Sequence, residues 1–92
     1  MVEDKPYNQF IKNGYKYRVF DPDTEENELK WHYDKNTRDV EVLISSNWLF
    51  QLDNHLPKIM SAGDKINIKS GVYHRIIKGS GCLVVRFKEF LN

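Results

Sequence analysis

The sequence predicts an all-β domain, a small sandwich or jelly-roll barrel of about eight strands. Three observations carry this expectation. Apolar residues recur with a period of two in short segments, and no long stretch repeats with helical period. Turn residues, chiefly glycine, asparagine, aspartate and serine, separate those segments at short intervals. The chain's 92 residues can close one core but cannot build separate binding and catalytic domains. A closed barrel of short strands also limits exposed sheet edges.

Residues 1–13 read as an N-terminal segment set apart from the barrel domain at 14–92. Tyr7, Phe10 and Ile11 suit an amphipathic turn over one barrel end, a strand exchanged with another subunit, or a partly ordered tail. Tyr15-Lys16-Tyr17-Arg18-Val19-Phe20 follows Gly14 and alternates aromatic with basic before changing phase at Val19, which marks a first strand. Asp21 to Glu28 is acidic but interrupted by Pro22, Thr24 and Asn27, and its order lacks the central glycine of a calcium loop, so it reads as a solvated loop. Leu29 to Asp34 is the next strand, ended by Lys35-Asn36-Thr37. Val40-Glu41-Val42-Leu43-Ile44 is rich in β-branched residues and suits a central strand. Ser45-Ser46-Asn47 turns into Trp48 to Leu52, and Asp53-Asn54 turns again, leaving His55 on an exposed turn. Lys58 to Met60, Lys65 to Lys69, His74 to Lys78 and Cys82 to Phe90 complete the set, with Gly79-Ser80-Gly81 as a tight connection.

Composition narrows the function classes. Fourteen basic residues nearly balance thirteen acidic ones, and the signs are interspersed, so the basic stripe of a nucleic-acid binder is missing. No apolar run approaches the roughly 20 residues that cross a bilayer, and the start Met1-Val2-Glu3-Asp4-Lys5-Pro6 has no basic, apolar leader. The expectation is a cytoplasmic protein without nucleic-acid or membrane partners. Cys82 is the only cysteine, which excludes an intramolecular disulfide and a cysteine-built zinc site. Its apolar surroundings suggest a buried, inert thiol.

The chemistry concentrates at His32 and Asp34 in Trp31-His32-Tyr33-Asp34, and at His74, which closes a stretch beginning at Gly63. Residues two apart on a strand face the same way, so His32 and Asp34 can share the barrel interior with His74. Ile66 and Ile68 share a face, as do His74 and Ile76, which would give a polar cluster an apolar floor. Trp48, Gln51 and Arg75 are further candidates to line a ligand pocket. Asp39 and Glu41 share one face of their strand, opposite Val40, Val42 and Ile44. Either the carboxylates face the pocket or the valines face the core, and a bulge near Arg38 could reverse the answer. If Asp39 turns outward, Arg38 turns inward and the pocket suits an anionic ligand. No nucleophile elbow, catalytic triad order or phosphate-cradling loop occurs.

These residues resemble the cupin superfamily over roughly residues 28–90. The second cupin motif runs glycine, five residues, proline, one residue, glycine, two residues, histidine. Gly63, Gly71 and His74 stand at matching positions, with Lys69 in place of the proline and Lys78 in place of a common asparagine. In the register of the first motif stand His32, Asp34, Asp39 and Ser46, with Glu26 in place of the leading glycine. Sixteen residues between Ser46 and Gly63 are similar to the spacing of small microbial cupins. The resemblance implies a double-stranded β-helix and one divalent ion, iron, manganese, nickel or zinc, offered His32, Asp34, Asp39 and His74; a metal-free pocket is the other outcome. The order histidine, any residue, aspartate, distant histidine also resembles the iron triad of 2-oxoglutarate oxygenases, where Arg86 would stand near the cosubstrate position. Three functions follow: a small-molecule binding protein, a metal-dependent enzyme of dioxygenase or isomerase type, or a structural barrel without catalysis. Small cupins commonly associate through sheet edges and residues 1–13 could supply an extra strand, so the sequence is compatible with a homodimer.

Overall fold

The computed structural model describes residues 7–23 and 29–91. They form eight strands: β1 (Tyr7–Lys12), β2 (Tyr15–Phe20), β3 (Thr37–Ser45), β4 (Leu49–Leu52), β5 (Lys58–Ile59), β6 (Lys65–Ile68), β7 (His74–Ile77) and β8 (Leu83–Phe90). One sheet runs β1-β2-β8-β3-β6 and the other β5-β4-β7, and all pairings are antiparallel. No helix long and apolar enough to cross a membrane occurs among the described residues.

The strand census is as expected in number but not in membership. Tyr7–Lys12 pairs with β2 of its own chain from Tyr7↔Phe20 to Lys12↔Tyr15; it is an edge strand of the larger sheet. Asn13 and Gly14 between them both have positive φ, 53° and 82°, the conformation of a two-residue hairpin turn. Asn-Gly supplies that turn at low steric cost, and the dipeptide was a hairpin signal available in the sequence. Conversely, Leu29 to Asp34 is not a regular strand. It contributes a single bridge, His32↔His74, beside β7. The acidic loop falls largely outside the described residues; within them the Asp23 amide donates to Asp21 Oδ1 at 2.9 Å.

The inner faces of both sheets supply the core. Phe20, Val42, Leu83 and Val85 from the larger sheet pack with Trp48, Phe50 and Met60, and the Phe20 and Trp48 ring centroids lie 5.8 Å apart. Alternation fixes the facing of each strand. On β8, Leu83, Val85 and Phe87 are buried while Arg86 turns out. On β3, Arg38 and Val40 face inward and Val42 is wholly buried, which settles the sequence ambiguity in favour of the valines. A bulge lies between Val42 and Ile44, later than expected, and it leaves Ile44 exposed. On β2 the expected phase change does not occur. Arg18 and Phe20, two apart, both line the interior, and the aromatic residues Tyr15 and Tyr17 take the outer face with Phe10 stacked on Tyr17 at 4.9 Å.

A second set of close contacts anchors the barrel end at Trp48. Its ring is fully buried and its Nε1 donates to the Gly81 carbonyl at 2.7 Å. The Gly79-Ser80-Gly81 turn presses on Ser46 and Asn47, where the Ser80 amide donates to the Ser46 carbonyl at 2.8 Å. A Cβ on Gly79 would lie 2.1 Å from the Ser46 carbonyl oxygen and 2.7 Å from the Trp48 ring. Cys82, next in the chain, is exposed; the inert buried thiol expected from its neighbours is corrected, because Leu83 and not Cys82 takes the inward place.

Gly79→Ala is therefore expected to destabilise the protein by about 2 kcal/mol or more, since backbone must move to admit the methyl. Gly81→Ala, whose methyl meets only the Ser46 side chain, should cost less. Urea unfolding of the two variants followed by tryptophan fluorescence measures the difference.

Candidate metal and ligand site

The site begins with a backbone pair. The His32 amide donates to the His74 carbonyl at 3.1 Å and the His74 amide donates back at 2.9 Å, so the two residues stand opposite each other and their side chains share one face. That face is the interior, because Leu52, opposite His74 on the other side, packs on the core. The ring centroids lie 4.4 Å apart. Asp34 follows His32 by two residues, and its carbonyl accepts from the Gly71 amide at 2.9 Å. Gly71 itself has φ 79° and Gly63 φ 94°, so both glycines of the spacing occupy left-handed positions that favour glycine.

Hydrogen bonds fix the tautomers. His74 Nδ1 lies 2.9 Å from the Val72 carbonyl and His32 Nδ1 lies 2.8 Å from the Lys30 carbonyl. A carbonyl oxygen only accepts, so Nδ1 carries a proton in both rings and Nε2 of each ring is the atom turned to the interior. Asp34 Oδ2 is 3.3 Å from His74 Nε2, and the donor atoms of His32, Asp34 and His74 all lie within 4.8 Å of one another. Two imidazole nitrogens and a carboxylate oxygen thus converge. Asp34 Oδ2 is buried without a hydrogen-bond partner, an arrangement that costs about 1–3 kcal/mol if nothing neutralises it. Burial pushes the Asp34 carboxyl up, but His74 and the positive Arg38, with His32, outweigh it and hold it below its ordinary value. It stays an anion at neutral pH.

Two imidazoles and a carboxylate form a donor set suited to a divalent transition metal with open positions. Ligand atoms about 2.1 Å from such an ion and grouped on one side of it lie about 3.0–3.4 Å apart, so the widest separation in the group has to close by up to about 1.8 Å. The Asp34 oxygen and the two inward Nε2 atoms are the donors that would hold a metal.

The triad sits on the wall of a cavity of about 390 Å³ between the sheets. Val40, Phe50, Met60, Ile66, Ile68 and Ile76 provide its apolar surface, and Arg18, Lys30 and Arg38 join the triad as polar lining. Arg38 lies 3.3 Å from Asp34 Oδ2 through its terminal nitrogen and 3.8 Å from Glu89 through Nε. Lys16, in a close ion pair with Glu89, holds that carboxyl below its ordinary range, with Arg38 adding to the effect. Both Arg18 and Arg38 place their guanidinium carbons 4.7 Å from the centroid of the Phe87 ring.

Four expected site residues lie elsewhere. Asp39 is exposed and accepts from Asn67 Nδ2 at 2.6 Å; with Val40 and Val42 turned inward, the strand period sends it out. Trp48 is core. Gln51 and Arg75 face each other across β4 and β7 on the outer side, with Arg75 Nε donating to Gln51 Oε1 at 2.8 Å and its guanidinium 4.9 Å from the Trp31 ring centroid. None of the four lines the cavity. Arg86 is also outside it, bound to Glu41 at 2.7 Å and to the Tyr17 hydroxyl at 3.3 Å, so it cannot hold a cosubstrate within the barrel. His55 is an exposed turn residue, as expected. Sequence reasoning missed Arg18 and Lys30. Each stands two residues before an inward neighbour, Phe20 or His32, and the strand period was the signal that could have found them.

This arrangement, two antiparallel sheets around a cavity with a histidine on each of two adjacent segments, has the double-stranded β-helix fold, and solved cupin structures share it. An RmlC-like cupin family protein from Methanocaldococcus jannaschii matches with a TM-score of 0.67 at 14% identity, covering 96% of this chain and 82% of that one. A cupin-2 domain protein from Shewanella frigidimarina matches at 0.66 and 15% identity, over 98% and 85%. The iron(II) form of HppE matches at 0.62 and 17% identity, over 91% of this chain and 48% of that one. No protein-family model matches the sequence, and no curated protein is similar enough to count as a relative.

The tautomers give a direct check. Long-range proton–nitrogen spectra of metal-free protein should show a proton on Nδ1 of both His32 and His74, and that proton should remain when metal binds; rings protonated on Nε2 alone would contradict the site.

Proposed function

We propose that the chain binds a small molecule in this cavity beside a divalent cation held by His32 Nε2, His74 Nε2 and Asp34 Oδ2. The observation that carries the reading is the convergence of His32 Nε2, His74 Nε2 and Asp34 Oδ2 at the wall of a largely apolar chamber. His32 is exposed and His74 buried, so solvent and ligand reach the ion from the His32 side. The iron(II) in HppE, on the same fold, supports a transition metal here.

A metal-dependent enzyme is the second reading, favoured by the number of protein donors. Three donors leave coordination positions for water or substrate, and a bound ion would supply Lewis-acid polarisation there. The chain's own residues would then orient and enclose: Phe50, 5.9 Å from the His74 ring, and Ile76 shield the ion beside His74, and Arg38 steadies Asp34. A cytoplasmic setting belongs to the proposal, supported by the exposed unpaired thiol of Cys82, which persists best in a reducing compartment. So does a homodimer, for which the β1 edge offers unpaired backbone groups.

Elemental analysis of untagged protein supplied with iron, manganese, nickel or zinc should find near-stoichiometric metal. His32→Ala and His74→Ala should each lower the occupancy at least about tenfold, while Asp39→Asn leaves it unchanged. Equal metal content in all four proteins would contradict the assignment.

A further inference from the structure

We propose that Arg38 is an internal competitor for the cation, standing against the Asp34 oxygen that the ion needs, and that Glu89 raises metal affinity by drawing the guanidinium away. The inference rests on the metal reading above and adds how the barrel itself sets the strength of that site. Position is the first argument. Arg38 Nη1 lies 3.3 Å from Asp34 Oδ2, and His74 Nε2 is also 3.3 Å from that oxygen. A cation arriving at His32, Asp34 and His74 therefore meets a positive charge already beside the one anionic donor of the three. The Arg38 and Asp34 side chains are only 17% and 12% exposed, so water screens the repulsion less than it would at the surface. The guanidinium that steadies the carboxylate also has to give way at Oδ2.

The looseness of its contacts is the second. Arg38 stands between two carboxylates, its Nε 3.8 Å from Glu89 Oε2. Neither Asp34 Oδ2 nor Arg38 Nε has a hydrogen-bond partner, so through these contacts the guanidinium closes a hydrogen bond to neither acid. A short bidentate pair would resist displacement; this one is poised between its partners. The flat Phe87 ring, with its centroid 4.7 Å from the guanidinium carbon, offers a surface along which the group shifts.

Glu89 is placed to receive it. It stands directly opposite Arg38 in the β3–β8 register. Lys16 of β2 is ion-paired with its Oε1, and Asn36 Nδ2 donates to its Oε2 at 3.5 Å. These anchors hold the carboxylate in place whichever way Arg38 leans. When an ion takes Asp34 Oδ2, Arg38 exchanges that partner for a closer contact with Glu89, and no buried cation is left without a counter-charge.

Zinc titration against a chromophoric chelator, at fixed pH and ionic strength, tests the proposal on the folded protein. Arg38→Gln should bind zinc at least about tenfold more tightly than the unaltered chain, and Glu89→Gln on the order of tenfold more weakly. Arg38→Lys, which keeps the charge, should stay within about threefold of the unaltered chain, and the Arg38→Gln, Glu89→Gln double variant within about threefold of Arg38→Gln alone. Lys88→Gln, which removes a cation from the outer face, should change the affinity less than about twofold. Circular dichroism verifies folding; if Arg38→Gln unfolds, Arg38→Met, which keeps an apolar stem over Phe87, takes its place. Affinity unchanged or lowered by Arg38→Gln would overturn the proposal and make Arg38 a positioning residue for Asp34. So would a Glu89→Gln effect of equal size with and without Arg38, because Glu89 would then act on the ion directly, or an equal gain from Lys88→Gln, which would reduce the effect to net charge. In each of these cases His32→Ala would still lose zinc, and the metal site would stand. Zinc bound by none of these proteins, or bound equally by His32→Ala, would overturn both readings.

Discussion

The reciprocal backbone hydrogen bonds between His32 and His74 are the constraint on which the site depends. A regular strand would have tied residues 29–34 along their length. Here one pair of amides suffices, and it puts both imidazoles on the inner face at adjacent positions. The same pairing sends Trp31 and Tyr33 outward, where Tyr33 packs edge-on against Tyr73 at 5.2 Å and Arg75 covers Trp31. The outer aromatic contacts hold the segment from behind while the inner face carries the chemistry. Asp34 then falls on the inner side by the two-residue period, and the Gly71 amide fixes its backbone from the facing turn.

Polar groups are distributed unevenly between the two faces of the larger sheet. Outward polar groups pair across strands: Glu41 with Arg86 as an ion pair, and Asp39 as acceptor of a hydrogen bond from Asn67. Such half-exposed pairs add little stability individually. Inward charges instead form a connected group, Lys16, Glu89, Arg38 and Asp34, laid over the Phe87 ring and leading to the triad. Burying ions is costly unless they are mutually compensated. The buried polar atoms without a hydrogen-bond partner include Asp34 Oδ2 and Arg38 Nε, both on residues that line the cavity wall.

The fold was legible in the sequence wherever period and punctuation agreed. β6, β7 and β8 follow alternation closely, and Gly63 and Gly71 mark the turns whose positive φ requires them. His32, Asp34 and His74 were legible because each lies on an inward position two residues from another. Illegible were the features that depend on long-range partners. Whether Asp39 or Arg38 faces the core is decided by packing of Val40 and Val42 against the opposite sheet, which local pattern leaves open. Gln51 and Arg75 have the composition of pocket residues, yet their neighbours Leu52, Phe50, His74 and Ile76 take the interior and turn them out. On β2 the aromatic and basic residues alternate, and the burial of Phe20 against the opposite sheet is what turns Arg18 inward and Tyr17 outward.

The account rests on three protein donors meeting at one ion, and a crystal structure grown with manganese or cobalt, with anomalous scattering recorded at the metal edge, tests that most directly. It predicts a single strong anomalous peak about 2.0–2.3 Å from His32 Nε2, His74 Nε2 and Asp34 Oδ2. A peak elsewhere, or the Arg38 guanidinium hydrogen-bonded to Asp34 in the place of the ion, would contradict it.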